Sequence, residues 1–156
     1  MQVQHSKVFG SRTVKTLNQI LAAGAILFST VAQARDDRLT LPIKVALEEG
    51  KNKGVISDDI KLFFGKGGPE PKTKLGTFTS NRKTNAVGKS DVEACNWVFL
   101  SAVKQLQERA RSEGGNAVIN IRSVYKGANS EDSDNFICGA GNIMAGVALE
   151  GTVAKL

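Results

Sequence analysis

From Val92 to Ala110 the apolar residues Val92, Cys95, Phe99, Ala102, Val103, Leu106 and Ala110 recur at spacings of three and four, which lays one apolar stripe along a helix. The spacing predicts a helix over Asp91–Ser112, with Lys104, Gln105, Gln107, Glu108, Arg109 and Arg111 mostly off the stripe. Ser90 and Glu93 read as a capping box, Asp91 adds negative charge where the helix dipole favours it, and Gly114-Gly115 stop the helix. At about 1.5 Å per residue such a helix is about 33 Å long, enough to cross a sheet. Trp97 lies beside the stripe, where core packing is the expected role and an exposed stacking platform the rival one.

Elsewhere the periods are short. Arg35–Thr40 reads as a polar leader, and Leu41-Pro42-Ile43 opens a short helix that Gly50, Lys51, Lys53 and Gly54 end. Ile60–Phe64 is a strand, and Gly65–Lys74 is a turn-rich loop. Leu75–Thr79 is a second short strand, and Ser80–Lys89 is a polar segment. Past the helix, Ala117–Tyr125 alternates, with Ile119 and Ile121 on one face and Asn120 and Arg122 on the other. Lys126–Asn135 reads as an exposed acidic loop. Phe136–Leu156, punctuated by Gly139, Gly141, Gly146 and Gly151, supplies one or two strands with bulges or bends. The expected fold is α+β in the order β-β-α-β-β, one long amphipathic helix on a small, mainly antiparallel sheet, preceded by a short helix. Phe63 and Phe64 must point to opposite faces of their strand, so one ring can reach a second packing surface; this is the best sequence hint of a partner.

The N-terminal 34 residues have a different pattern. Lys7, Arg12 and Lys15 precede an apolar run, Ile20–Val31, and Ala32-Gln33-Ala34 follows as a small-x-small cleavage site. This is the pattern of a cleavable secretory signal peptide over residues 1–34, leaving one domain over 35–156. The run is shorter than the ~20 residues of a stable span. With no cysteine after it and no Arg-Arg pair before it, export of a soluble, unanchored periplasmic or secreted chain is expected. Cleavage changes the charge picture. The whole chain of 156 residues has a net charge of +6; without the first 34 it has 18 Lys and Arg against 15 Asp and Glu, and no histidine, since the only one is His5. No basic or aromatic stripe remains to suggest nucleic acid. Cys95 and Cys138, both in the exported part, are expected to form a disulfide, with two buried free thiols as the alternative.

The segments Lys83–Ser90, Ala94-Cys95, Gln107–Arg111, Gly114–Asn120 and Cys138–Gly141 together resemble a family of small exported bacterial proteins labelled "excinuclease ATPase subunit". More distantly, Leu75–Lys155 is similar to the envelope stress sensor RcsF and the YbjQ family. That second likeness implies helix on sheet. RcsF-like proteins carry two disulfides and a lipid anchor, whereas this chain has two cysteines.

Nucleotide hydrolysis fits the residues poorly. A phosphate loop needs G-x-x-x-x-G-K-[ST] so that the backbone can curl around the phosphates. Gly88-Lys89-Ser90 supplies only the end, Lys83 stands where the first glycine belongs, and Ser90 is explained as a helix cap. What survives is a possible anion site of Arg82, Lys83 and Lys89 before a helix N-terminus, with a solvated basic loop as the plainer reading. Glu131, Asp132 and Asp134 are the candidate cation ligands, yet they lack the spacing of a calcium loop, and a solvated acidic loop is favoured. Without histidine in the exported part, no His-based triad or ordinary zinc site can form. Neither cofactor nor catalytic residue is expected. The sequence therefore reads as a non-enzymatic module that binds an envelope partner or itself, in envelope maintenance or sensing. A protein that binds a small molecule, anion or metal ion is the alternative.

Overall fold

The computed structural model describes residues 35–156; the segment read as a signal peptide lies outside them. In chain order the elements are β1 (Asp37–Pro42), α1 (Ile43–Asn52), β2 (Lys61–Phe64), β3 (Thr73–Asn85), α2 (Asp91–Ser112), β4 (Ala117–Tyr125), β5 (Ala128–Ser130), β6 (Asn135–Ala140) and β7 (Met144–Lys155). The β-β-α-β-β layout is overturned. Among the described residues one mixed sheet of seven strands forms instead, with two helices.

β7 is the spine of that sheet. One edge pairs antiparallel with β3 from Thr73↔Lys155 to Asn85↔Met144. The other edge is shared: β4 takes its later part, from Ser123↔Leu149 to Ala117↔Ala154, and β6 takes Ala145 and Gly146. β1 then pairs antiparallel with β6, and β2 runs parallel to β4. A parallel neighbour requires a long crossover, and β3 and α2 lie between β2 and β4 in the chain.

Three departures from the sequence reading have local causes. Arg35–Thr40 is not a leader: in β1, Leu39 and Leu41 pack against the core while Arg38 and Thr40 stay outside, the alternation of an edge strand. The polar segment after Thr79 continues β3 to Asn85, because an edge strand with an open side tolerates polar residues. The acidic loop contains a hairpin: Lys126 (φ 44°) and Gly127 (φ 76°) form a two-residue turn of left-handed geometry that returns Ala128 against Tyr125.

In β4 a bulge changes which side chains face inward. Asn120 adopts φ 53°, and the register with β7 shifts between Ile119 and Arg122. Val118 and Ile121 thereby share the face under α2, while Ile119 joins Ala117 and Ala154 on the opposite face. The strict alternation expected for Ile119 and Ile121 fails at that one residue.

Ser90 Oγ accepts the N–H of Glu93 at 3.2 Å and starts α2. The helix buries more than the expected stripe: Val98 and Leu100 are buried with Phe99 because α1 packs on its flank while the sheet lies beneath. Phe99 stacks on Phe136 with ring centroids 4.1 Å apart and meets Phe64 at 6.0 Å. Burying a side chain of this size stabilises by about 1.5–3 kcal/mol. Gln107 is buried too, and its amide holds the turn before β2, donating to Ser57 O (2.7 Å) and Ile60 O (3.3 Å). Val92 and Trp97 are exposed rather than in the core, and Lys53 Nζ stands 6.0 Å from the Trp97 ring centroid.

Cys95 on α2 and Cys138 on β6 form a disulfide, with Cα atoms 5.9 Å apart. Residues 35–156 thus hold a hydrophobic core, a sheet and a covalent brace of their own. Among the described residues no helix is long and apolar enough to cross a membrane.

Candidate functional site

Strand β2 pairs only with β4 among the described strands, so its other edge is open. Beside that edge runs α1. Pro42 precedes the helix in an extended conformation, and Ile43 N–H donates to Asp134 O at 2.8 Å, fixing where α1 starts. Ile43 and Ala46 are buried, and Leu47 packs half-buried against the core beside the space between helix and strand. The result is an apolar cleft of about 560 Å³, lined by Ile43 and Leu47 from α1, by Leu62, Phe63 and Phe64 from β2, and by Ser133 and Asp134. A second cleft of about 280 Å³, reaching Ile56 and Ile60, shares Leu47, Lys51, Leu62 and Phe63 with the first. The two make one groove along β2. Its rim is charged, with Lys44 and Glu48 on α1 and Lys51 paired to Asp58 at 2.6 Å.

The two adjacent phenylalanines divide as strand geometry requires. Phe64 joins the main core, and Phe63 packs against the small cluster of Ala117, Ile119 and Ala154 on the other face. Both also line the groove.

A polar cleft of about 290 Å³ opens elsewhere, over the β4 bulge. Arg122 bridges to Glu150 (2.7 Å) and approaches Glu131 (3.9 Å), which Lys66 holds at 2.6 Å. The Lys66 ammonium keeps the Glu131 carboxyl below its ordinary range. Thr77 and Thr152 hydroxyls bond each other at 2.9 Å. Each charge in this cleft has an opposite partner within it, so a ligand would have to displace internal ion pairs.

The candidate cation ligands do not converge. Glu131 turns to Lys66, while Asp132 accepts the N–H groups of Asp134 (2.8 Å) and Asn135 (3.1 Å), the first of which lowers its pKa most. Asp134 faces the apolar groove. No group of three metal-ligating side chains occurs among the described residues. The candidate anion residues are likewise dispersed. Ser80 bonds Gln105 of α2 at 2.7 Å, so beyond the bulge at Lys74–Gly76 the even-numbered residues of β3 face the helix; Arg82 follows them and Lys83 points the other way. Lys89 Nζ reaches back to Asn85 O at 3.3 Å. Arg35 occupies Asp91 in the first turn of α2.

The groove residues Ile43, Leu47 and Leu62 escaped sequence reasoning. A signal was present in the four-residue spacing of Ile43 and Leu47 on α1, but nothing local says that α1 lies beside β2.

The chain matches no protein-family model, no curated protein and no solved structure.

Proposed function

We propose that this protein is an exported, non-enzymatic binding module of the cell envelope, whose groove between α1 and β2 takes a segment of a partner protein. The observation that carries the reading is the pairing of an apolar cleft of about 560 Å³ with the open edge of β2. An open strand edge offers backbone N–H and C=O groups to an added chain, and the neighbouring cleft offers space for its side chains. Export follows from the Lys-Arg-rich start, apolar run and Ala32-Gln33-Ala34 of the first 34 residues. The resemblance to exported proteins and to the RcsF outline supports a place in envelope maintenance or sensing. ATP hydrolysis is disfavoured by the same address and by the employment of Ser90 as a helix cap.

Site-specific photocross-linking in the envelope tests this. A benzophenone side chain at Leu47 is expected to give a discrete adduct, whereas one at Val45, exposed on α1 outside the groove, gives none. Leu62→Lys should remove the adduct, and because Leu62 also packs half-buried against the core, circular dichroism at the labelling temperature checks that the variant is folded. Equal labelling from both positions, or none from Leu47, would remove the groove as a partner site.

A further inference from the structure

Six large apolar side chains stand exposed among the described residues, and four of them gather at one end of the domain: Val87 (58 %), Val92 (51 %), Ile143 (66 %) and Met144 (46 %). Three separate segments deliver them there. Ala86 N–H donates to Ile143 O at 2.8 Å, which ties the turn after β3 to the turn before β7. Asn85 is the register partner of Met144, and Gly141 N–H closes onto Met144 O at 2.9 Å. Val92 lies in the first turn of α2, directly after the Ser90 cap.

We propose that this end is a peripheral docking surface for an anionic lipid bilayer. Shape is the first reason. The four side chains are aliphatic tips on turns and a helix start, without an aromatic anchor, and a tight protein interface is centred on buried aromatic or Arg anchors. Short apolar tips that enter the headgroup boundary, with cations beside them, suit a bilayer.

Charge is the second reason. Arg82 and Lys83, near the end of β3, point to its two sides, and Lys89 sits in the turn beside Val87. Among the described residues no carboxylate pairs with any of these three cations. The acidic groups of the same end are Asp36, Asp37, Asp91 and Glu93; Lys126 engages Asp36, and Arg35 engages Asp37 and Asp91. The three residues that form no closed anion pocket thus find a common role as a basic border around an apolar tip.

Arg35 O lies against Gly141, so the first described residue also sits at this end. The groove opens beside Ser133 and Asp134, ahead of β6, whereas the aliphatic end follows β6. Six residues at about 3.3 Å each put roughly 20 Å between them.

Flotation of the disulfide-closed chain Arg35–Leu156 with vesicles tests the proposal, using an equal mixture of phosphatidylglycerol and phosphatidylcholine against phosphatidylcholine alone. Partition into the anionic vesicles is expected, weakened by added salt and reduced about tenfold or more by Val87→Asn with Ile143→Asn and Met144→Asn. Lys83→Glu with Lys89→Glu should reduce it about as strongly, through charge alone. Leu47→Lys should leave it unchanged, which separates this surface from the groove. Absence of flotation, full competition by inorganic phosphate, or partition indifferent to both sets of variants would overturn the proposal. So would a dimer in solution that the triple variant dissolves, since the tips would then be a contact between copies.

Discussion

Tyr125, at the end of β4, lays its ring over Gly139 and Gly146, which face each other across β6 and β7. The ring is nearly buried. A methyl group at Gly139 would overlap Tyr125 Oη and Cε1, and one at Gly146 would stand 3.1 Å from Cε2. The two glycines therefore make a slot in which a bulky ring replaces the side chains their strands lack. Gly139→Ala is expected to destabilise by about 1–3 kcal/mol, as overpacking of a tight core does. Gly67→Ala, where an added methyl meets open space, should stay within about 0.5 kcal/mol. Urea unfolding of both variants decides it, and equal midpoints would mean that the ring swings aside without cost. Asn120 is a residue of the opposite kind: its left-handed conformation, which asparagine tolerates better than most residues, shifts the inward face of β4 by one position.

At the scale of elements, the disulfide is the one covalent tie between α2 and the sheet. Its cysteines are 43 residues apart, and closing a loop of that size stabilises by about 4 kcal/mol in the chain-entropy model. Cys95→Ala with Cys138→Ala, or reduction of the parent, should lower the unfolding free energy by about that amount. Guanidinium unfolding with and without a thiol reductant measures it. An unchanged midpoint would show that the packing of Phe99 on Phe136 suffices to seat the helix. The start and stop of α2 were legible because Ser90 and Gly114-Gly115 act within one turn of chain. The strand content was not. β1 carries Asp37 and Arg38 and hides only Leu39 and Leu41, so its charges mask a two-residue period. The second half of β3 is polar because its outer edge is open. The parallel placement of β2, and with it the groove, depends on pairing with Ala117–Ile121, more than fifty residues away. Local pattern holds no record of such a partner.

For the whole molecule, ion pairs join segments that the sheet leaves at its margins. Asp59 meets Arg111 at 2.7 Å, tying the turn before β2 to the end of α2. Glu131 meets Lys66, tying the loop before β6 to the loop after β2. Arg111 holds the Asp59 carboxyl well below the usual range, Lys51 lowers Asp58, Lys53 lowers Glu49, and Lys66 lowers Glu131. A carboxyl whose folded pKa is depressed adds stability above its unfolded pKa, near 4, and loses it as pH falls through the folded value. Residues 35–156 contain no histidine, so no side chain with an ordinary pKa near neutrality titrates there. The melting temperature should therefore stay level from about pH 8 to 5 and decline below about 4. Because these groups are exposed, added salt should flatten the decline. Thermal melts across pH at low and high salt measure both effects. A drop already present between about pH 7 and 5 would require a group titrating near neutrality. With the fold indifferent to pH in that range, any loss of vesicle or partner binding on mild acidification would belong to the ligand's charges rather than to the domain.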